Sequence, residues 1–424
     1  MDSQVDRDRR SLRRFIAASG LTNLGDGVAT IAWAWTASLL TREPLLIASI
    51  AIALRLPWAL FAVPAGIIAD RVDRRSLILW MDVLRGSAFG AAAMLLCLAA
   101  PFAAPPDAGV SSPIVFGFLA LSALTVGTAE VFRDNAAQTM LPALVPHDRL
   151  ESANGKLWSA ELVGNALLGP PLGAALIAVA LSMPFAFNAG LYGLAAATVA
   201  AITGSYRAAM RDTRDWRREL SEGFSFLQEA QLLRLLAWLT GAWNLFFQMV
   251  MIALILHVQD SLGLSPTSYG LVLATGAIGG IVGGLVADRI VRKLGPSATA
   301  QWMLLASAPA FAGIALAPGP LSLAAVLAFF EFTGLVWNAV SVSTRQRTIP
   351  NDLLGRVNSI YRLVAWGMMP VGLLLSGLIV RLADGPMPHQ TALKAPFWVA
   401  AIGVLLVAIY GWRPLGRLLP RSAG

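Results

Sequence analysis

The sequence predicts an all-α membrane protein of twelve transmembrane helices, arranged as two similar six-helix halves with both termini in the cytoplasm. Three observations predict it. Apolar residues make up 57% of the 424-residue chain and charged residues only 13%, about half the charge of an ordinary soluble domain. The apolar residues fall into runs of membrane-crossing length. The basic residues gather in the pieces between alternate runs. A chain of mean hydropathy +0.67 has too little polar surface to face water everywhere, so lipid is its solvent.

A span needs about 20 mostly apolar residues. Runs near 15–40, 46–69, 77–100, 113–135, 156–181 and 184–205 meet that need, followed by 235–259, 267–287, 297–317, 321–343, 357–380 and a shorter 396–412. The basic stretch Arg7 to Arg14 leads into the first run without a small-residue cleavage pattern, so it reads as a retained span rather than a signal peptide. Of the 32 lysines and arginines, only Arg42, Arg381 and Lys394 fall on the side opposite the termini, and only Arg55 and Arg85 within spans. That separation makes the terminus side cytoplasmic and predicts a multi-pass protein of the inner (cytoplasmic) membrane.

The same inventory excludes other classes. The net charge of +8 is spread over loops as a positive-inside bias rather than clustered on a nucleic-acid face, so no nucleic-acid partner is expected. One cysteine, Cys97, and three scattered histidines, His147, His257 and His389, give neither a disulfide framework nor a metal site, and no cofactor is expected. No nucleophile–base pair or Walker loop is present, which argues against an enzyme and against ATP drive. Gly276, Gly279, Gly280, Gly283 and Gly284 lie within a span with no strand before them, and so read as a packing face rather than a phosphate cradle.

Residues 206–234 form the only long polar segment and divide a first half, 1–205, from a second, 235–424. Within it Trp216, Leu220, Phe224 and Leu227 recur at helical spacing among Arg and Glu. Two readings stay open: an amphipathic helix on the cytoplasmic membrane face, or a solvated connecting helix.

Either side of this linker the chain repeats itself. Gly66-Ile-Ile-Ala-Asp70-Arg71-Val-Asp73-Arg74-Arg75 after the second span is echoed by Gly284-Leu-Val-Ala-Asp288-Arg289-Ile-Val-Arg292-Lys293 after the eighth. Gln138-Thr-Met-Leu-Pro142 after the fourth is echoed by Gln346-Arg-Thr-Ile-Pro350 after the tenth, reaching Asn154 and Asn358 respectively. Two motifs in one order at corresponding loops indicate parallel repeats. The Gly-x-x-x-Asp-Arg-x-x-Arg-Arg loop resembles the signature of the major facilitator superfamily, and the likeness covers essentially the whole chain. Asn23-Leu-Gly-Asp26-Gly27, Arg133-Asp-Asn-Ala-Ala-Gln-Thr-Met-Leu-Pro142 and Asp148-Arg149-Leu150 with Ala153-Asn154 resemble its enterobactin-exporter and macrolide-efflux branch.

Charges at mid-membrane depth are costly and mark functional positions. Asp26, Arg55 and Glu331 lie mid-span, whereas Asp82, Arg85, Glu130 and Glu161 read as lying within a turn or two of the cytoplasmic ends, as gate residues or snorkelling side chains. The resemblance implies a cavity lined by spans one, four, seven and ten. On the first, Asn23, Asp26, Thr30 and Trp33 share a helical face. Trp243 with Asn244, Gln248 and Met251 come from the seventh, Glu331, Trp337 and Asn338 from the tenth, and Ser122 and Thr125 from the fourth. Asp26 and Glu331 are the candidate proton carriers, with Arg55 as partner; a static Asp26–Arg55 pair is the plainer alternative.

The resemblance further implies a cytoplasmic gate of Gly66, Asp70, Arg71, Arg74, Arg75 and Glu130, with Gly284, Asp288, Arg289, Arg292 and Lys293. There Asp70 would meet the eleventh span near Asn358, and Asp288 by symmetry the region of Asn154. Gly169, Pro170 and Gly173, within Gly169-Pro170-Pro171-Leu172-Gly173-Ala174, are similar to the fifth-helix motif of the family's antiporters, although Asn165 and Ala174 stand where that motif prefers Gly. Multidrug antiporters of the family often carry Arg midway along the fourth span; here Arg133 is at its end, so their proton relay does not transfer intact. The expectation is a monomeric, proton-coupled exporter of an amphiphilic small molecule such as a siderophore or macrolide. Uptake by symport and a non-transporting receptor or assembly protein remain as alternatives.

Overall fold

The computed structural model describes residues 2–106, 108–145, 150–207, 216–350 and 353–420. Among them there is no β-strand. The helices are α1 Asp2–Leu40, α2 Pro44–Arg71, α3 Arg74–Ala99, α4 Pro113–Leu144, α5 Leu150–Glu161, α6 Gly169–Val179 and α7 Met183–Ala200, then α8 Trp216–Glu229, α9 Gln231–Leu256, α10 Pro266–Leu316, α11 Pro320–Thr348, α12 Leu354–Ala383, a short α13 His389–Ala392 and α14 Ala395–Leu418. Their starts are written locally. Pro stands at the first turn of α4, α6, α7, α10, α11 and α14, where its missing N–H costs nothing. Ser112 and Ser265 accept the orphan N–H groups of Val115 and Ser268, as N-caps do.

Ten described helices are long and apolar enough to cross a membrane. This differs from the expected twelve for two physical reasons. The expected eighth and ninth spans run together as α10, broken only at Gly295 (φ 80, ψ 156), a left-handed conformation that glycine adopts without steric cost. The expected first span lies in α1, where the charged residues of the N-terminal third and Asp26 offset the apolar ones. The fifth span also differs: α5 passes through a π-helical segment, Leu162–Leu168, into α6.

The chain divides into two compact units, Met1–Arg42 with Ile50–Thr213, and Glu43–Ser49 with Arg214–Gly424. In the first, α1 packs on α7, α6 and the π segment, and α3 on α4 and α7. The fifth-helix glycines allow α6 to touch α1 backbone to backbone. A Cβ on Gly169 would fall 2.4 Å from the Gly27 Cα, and one on Gly173 would fall 2.6 Å from the Val28 carbonyl oxygen. Phe15, Ile78, Met140, Leu141 and Val199 fill the core at the arginine-rich end.

In the second unit α10 packs on α11 and α14, and α12 on α9. The linker helix α8 docks here through Leu227, whose buried side chain joins Leu233, Ile349, Val357 and Ile360. Its expected apolar stripe therefore splits: Leu227 faces protein while Phe224 is exposed, and the side chains of Trp216 and Leu220 lie outside the described residues.

Candidate functional site

In the first unit four helices, α1 to α4, bring charged side chains together. The Arg85 guanidinium on α3, 1% exposed, donates through Nη2 to Asp26 Oδ1 on α1. Tyr192 on α7 donates its hydroxyl to the same oxygen at 2.7 Å, and its ring lies 4.3 Å from the guanidinium carbon. Glu130 on α4 stands 3.8 Å from Arg85 Nη2 through one oxygen and 3.8 Å from Arg55 Nη1 through the other. The expected Asp26–Arg55 pair is thus replaced by Asp26–Arg85, and Glu130, expected at the gate, lies beside Arg85 and Arg55. The reason is depth. α3 starts at Arg74 behind the Asp73 cap, so Arg85 sits about 16 Å along it, level with Asp26 instead of near the helix end.

The expected face of α1 is divided by packing. Trp33, 3% exposed, lies against Phe89 and Phe185, with ring centroids 5.4 and 5.0 Å away, and continues the Asp26 face onto α3 and α7. Thr30 is exposed and Asn23 half-buried; Asn23 donates to the Ser19 carbonyl. Nearer the arginine-rich end, Arg133 pairs through Nε with the fully buried Asp82 at 3.5 Å and through Nη1 with Asp134 at 3.2 Å.

The arginines after α2 are held by carbonyls of their own unit. Arg74 donates to the Thr139 carbonyl oxygen at 2.8 Å and Arg75 to Val199 and Ala200 at the end of α7, where a helix C-terminus favours cations. Between them and α2, Asp73 caps α3 through Ser76 N–H and accepts Tyr206 N–H at 2.7 Å and the Ser205 hydroxyl at 3.1 Å. Burial alone would raise the Asp73 pKa, but these hydrogen bonds to the ionised form outweigh it and hold the carboxyl below its ordinary value of 3.8. A depressed carboxylate stabilises the fold above its unfolded pKa and loses that contribution as pH falls through the folded value. Asp73→Ala should therefore lower thermal stability at neutral pH by about 1 kcal/mol. The gap to the unsubstituted protein should close in melting curves taken below about pH 4. A constant gap across pH would show that the charge plays no part.

The side chain of Asp70 is outside the described residues, as are those of Asn154 and Arg356; residues Asp148 and Arg149 are likewise outside. Arg71, Gly284, Arg289 and Lys293 are exposed and Gly66 half-buried. Asp288 pairs with Arg292 one turn further along α10.

The second unit offers aromatic surface and little charge. Trp243 on α9 stacks on Phe247 and on Phe330 of α11, with centroids 5.2 and 5.5 Å apart, and donates its indole N–H to Ser307 at 3.2 Å. Asn244 is buried and donates to the Ala365 carbonyl at 2.9 Å. Trp337 is also buried. Asn244 and Trp337 therefore build helix packing, whereas Trp243, Gln248 and Glu331 are half-buried and Asn338 is exposed. Glu331 rests on the bare backbone of α10, with its Cγ 3.6 Å from the position of a Cβ on Gly276. Tyr361, which no motif in the sequence marks, joins α9, α11 and α12 through Thr240 at 2.8 Å, Ser341 at 3.1 Å and the Leu236 carbonyl at 3.1 Å. Arg345 stacks over its ring and reaches Asn358 at 3.2 Å.

Residues 15–373 match the profile of the Major Facilitator Superfamily. The chain is 25% identical to macrolide efflux protein A of Streptococcus pyogenes over 329 residues, covering 76% of this chain and 78% of that protein. It is 27% identical to the multidrug efflux pump Tap of Mycolicibacterium fortuitum over 426 residues, covering 96% and 97%. The fold is similar to that of a point mutant of the nucleoside transporter NupG, at TM-score 0.74 and 12% identity, over 96% of this chain and 99% of that one.

Proposed function

Since the chain belongs to the Major Facilitator Superfamily, we propose that it is a twelve-span, proton-coupled exporter of an amphiphilic small molecule. The observation that carries this reading is the Asp26–Arg85–Glu130 cluster, ionisable groups gathered inside a membrane-spanning unit. Such groups are retained where they carry ions or protons. The count of twelve takes the ten apolar helices, divides α10 at Gly295 and adds α1. Cytoplasmic termini follow from the arginine distribution.

Export is favoured over symport by the efflux relatives, which also point to macrolides or similar amphiphiles; siderophores fit the same chemistry. Within the first unit Asn23 and Thr30, and within the second Trp243, Gln248, Glu331 and Asn338, are the expected side chains that packing leaves half-buried or exposed for a substrate. In this reading Asp26 and Glu331 exchange protons as alternating access exposes them, and Asp70 and Asp288 bias that exchange through the gate loops. The protein works as a monomer in the inner membrane.

The test is transport of a labelled macrolide into inside-out proteoliposomes under an imposed pH gradient. The unsubstituted protein should accumulate the label, and Asp26→Asn should cut accumulation at least about tenfold, the loss that follows when roughly 1.4 kcal/mol of proton coupling disappears. Undiminished, gradient-dependent accumulation by Asp26→Asn would exclude Asp26 as the carrier.

A further inference from the structure

Arg85 has two carboxylates within reach and is hydrogen-bonded to one of them. Its Nη2 is hydrogen-bonded to Asp26 Oδ1 and stands 3.8 Å from Glu130 Oε2, an ionic contact too long for a hydrogen bond. Its Nε is buried without a hydrogen-bond partner. Asp26 is on α1, Glu130 on α4 and Arg85 between them on α3. Arg55, 48% exposed, is the second cation near Glu130, also at 3.8 Å. The other charged or titratable groups around the site are Tyr192 on α7, bonded to Asp26, and the separate Asp82–Arg133–Asp134 group on α3 and α4. Glu161 on α5 is exposed.

We propose that Arg85 is a shared countercharge that makes Asp26 and Glu130 alternative partners, so that one proton decides whether α3 is tied to α1 or to α4. An unpaired guanidinium in this setting is costly, and a neutral carboxylic acid holds it poorly. When Asp26 takes a proton, the guanidinium closes the remaining distance of about 1 Å to Glu130, reaching the ordinary length of a charge-assisted bond. When Asp26 gives the proton up, the guanidinium returns. The displacement is small, but it exchanges a contact with one helix for a contact with another, and packed helices respond to such exchanges by shifting as bodies. This rests on the proton-coupled reading above and gives that reading its switching element. Arg85 is then a positioning residue: it carries no proton itself.

The test compares gradient-driven accumulation with gradient-free exchange of the same labelled macrolide in proteoliposomes, each across a range of pH. Glu130→Gln leaves Arg85 with Asp26 and should fold. It removes the alternative partner, so the ratio of driven transport to exchange should fall at least about tenfold. Arg85→Lys keeps the charge but replaces the broad planar guanidinium, which lies within about 1 Å of bonding either carboxylate, by a compact ammonium, so the pH optimum of driven transport should move by about one unit or more. Should Arg85→Lys fail to fold, the double variant Asp26→Asn/Arg85→Gln leaves Glu130 with Arg55 and should lose driven transport while still exchanging substrate.

An unchanged ratio of driven transport to exchange in Glu130→Gln would overturn the shared countercharge and leave proton-driven export standing. Absence of any gradient effect in the unsubstituted protein, with exchange intact, would overturn both.

Discussion

Gly279→Val should yield no monodisperse protein in mild detergent, and Gly372→Val should fail in the same way. In each case two helices of the second unit meet backbone to backbone. A Cβ on Gly279 would lie 1.9 Å from the Ala328 carbonyl oxygen, putting α10 into α11, and one on Gly372 would lie 2.0 Å from the Leu245 oxygen, putting α12 into α9. Neither obstacle is a side chain that can rotate away; relief requires the helices to separate and abandon the contacts along their length. Overpacking of an ordinary core costs about 1–3 kcal/mol, and backbone overlap on this scale sits at or above the upper end. Gly367 is the control. It lies on α12 with nothing within 4 Å of its Cβ position, so Gly367→Ala should match or exceed the unsubstituted protein, glycine in a helix interior costing about 0.5–1 kcal/mol relative to alanine. Size-exclusion profiles and melting temperatures of the three variants decide the matter. Equal melting of Gly279→Val and Gly367→Ala would show that α10 and α11 do not meet as described.

The sequence carries what composition and period can encode. Apolar runs near 77–100 and 321–343 reappear within α3 and α11, and the glycine run in α10 does pack closely, with Gly279 and Gly283 against Ala328 and Phe332. What it does not carry is how each helix is turned about its own axis relative to its neighbours. Arg55 and Arg85 both stand inside spans, and the sequence reads Arg85 as lying near its helix end, which leaves Arg55 as the partner of Asp26; the packing of α3 on α7, and of α7 on α1, brings Arg85 and Tyr192 to that carboxylate instead. Trp33 shares a face with Asp26 as its period requires, but that face meets Phe89 and Phe185. The π segment Leu162–Leu168 is also invisible in the sequence, because shifting hydrogen bonds by one residue has no compositional signature. Yet it lies where Asn165 and Gly164 press on Gly27, next to Asp26 in the chain.

Arg133→Met should be the most damaging single change in the first unit outside its glycine contacts. Asp82 is fully buried, and neither of its oxygens has a hydrogen-bond partner; what holds it is Arg133 Nε at 3.5 Å. Removing that cation leaves a buried carboxylate uncompensated, at a cost of about 3–5 kcal/mol. The reverse change, Asp82→Asn, should be much milder. Arg133 keeps Asp134 at 3.2 Å and the Ser19 hydroxyl at 3.5 Å, so its charge stays paired. The double variant Asp82→Asn/Arg133→Met removes the buried carboxylate with its cation, leaves only the partly exposed Asp134 unpaired, and should recover part of the stability lost in Arg133→Met alone, a coupling that a double-mutant cycle measures directly. If Asp82→Asn and Arg133→Met lower the melting temperature equally and additively, the two residues are not energetically joined. The asymmetry matters beyond stability. Asp82 and Arg85 lie one turn apart on α3, so anchoring Asp82 to Arg133 on α4 fixes the turn from which Arg85 reaches both Asp26 and Glu130. Loosening that anchor should therefore flatten the pH profile of driven transport even in a variant that still folds, whereas a merely structural Arg133 would lower the amount of active protein and leave the profile where it was.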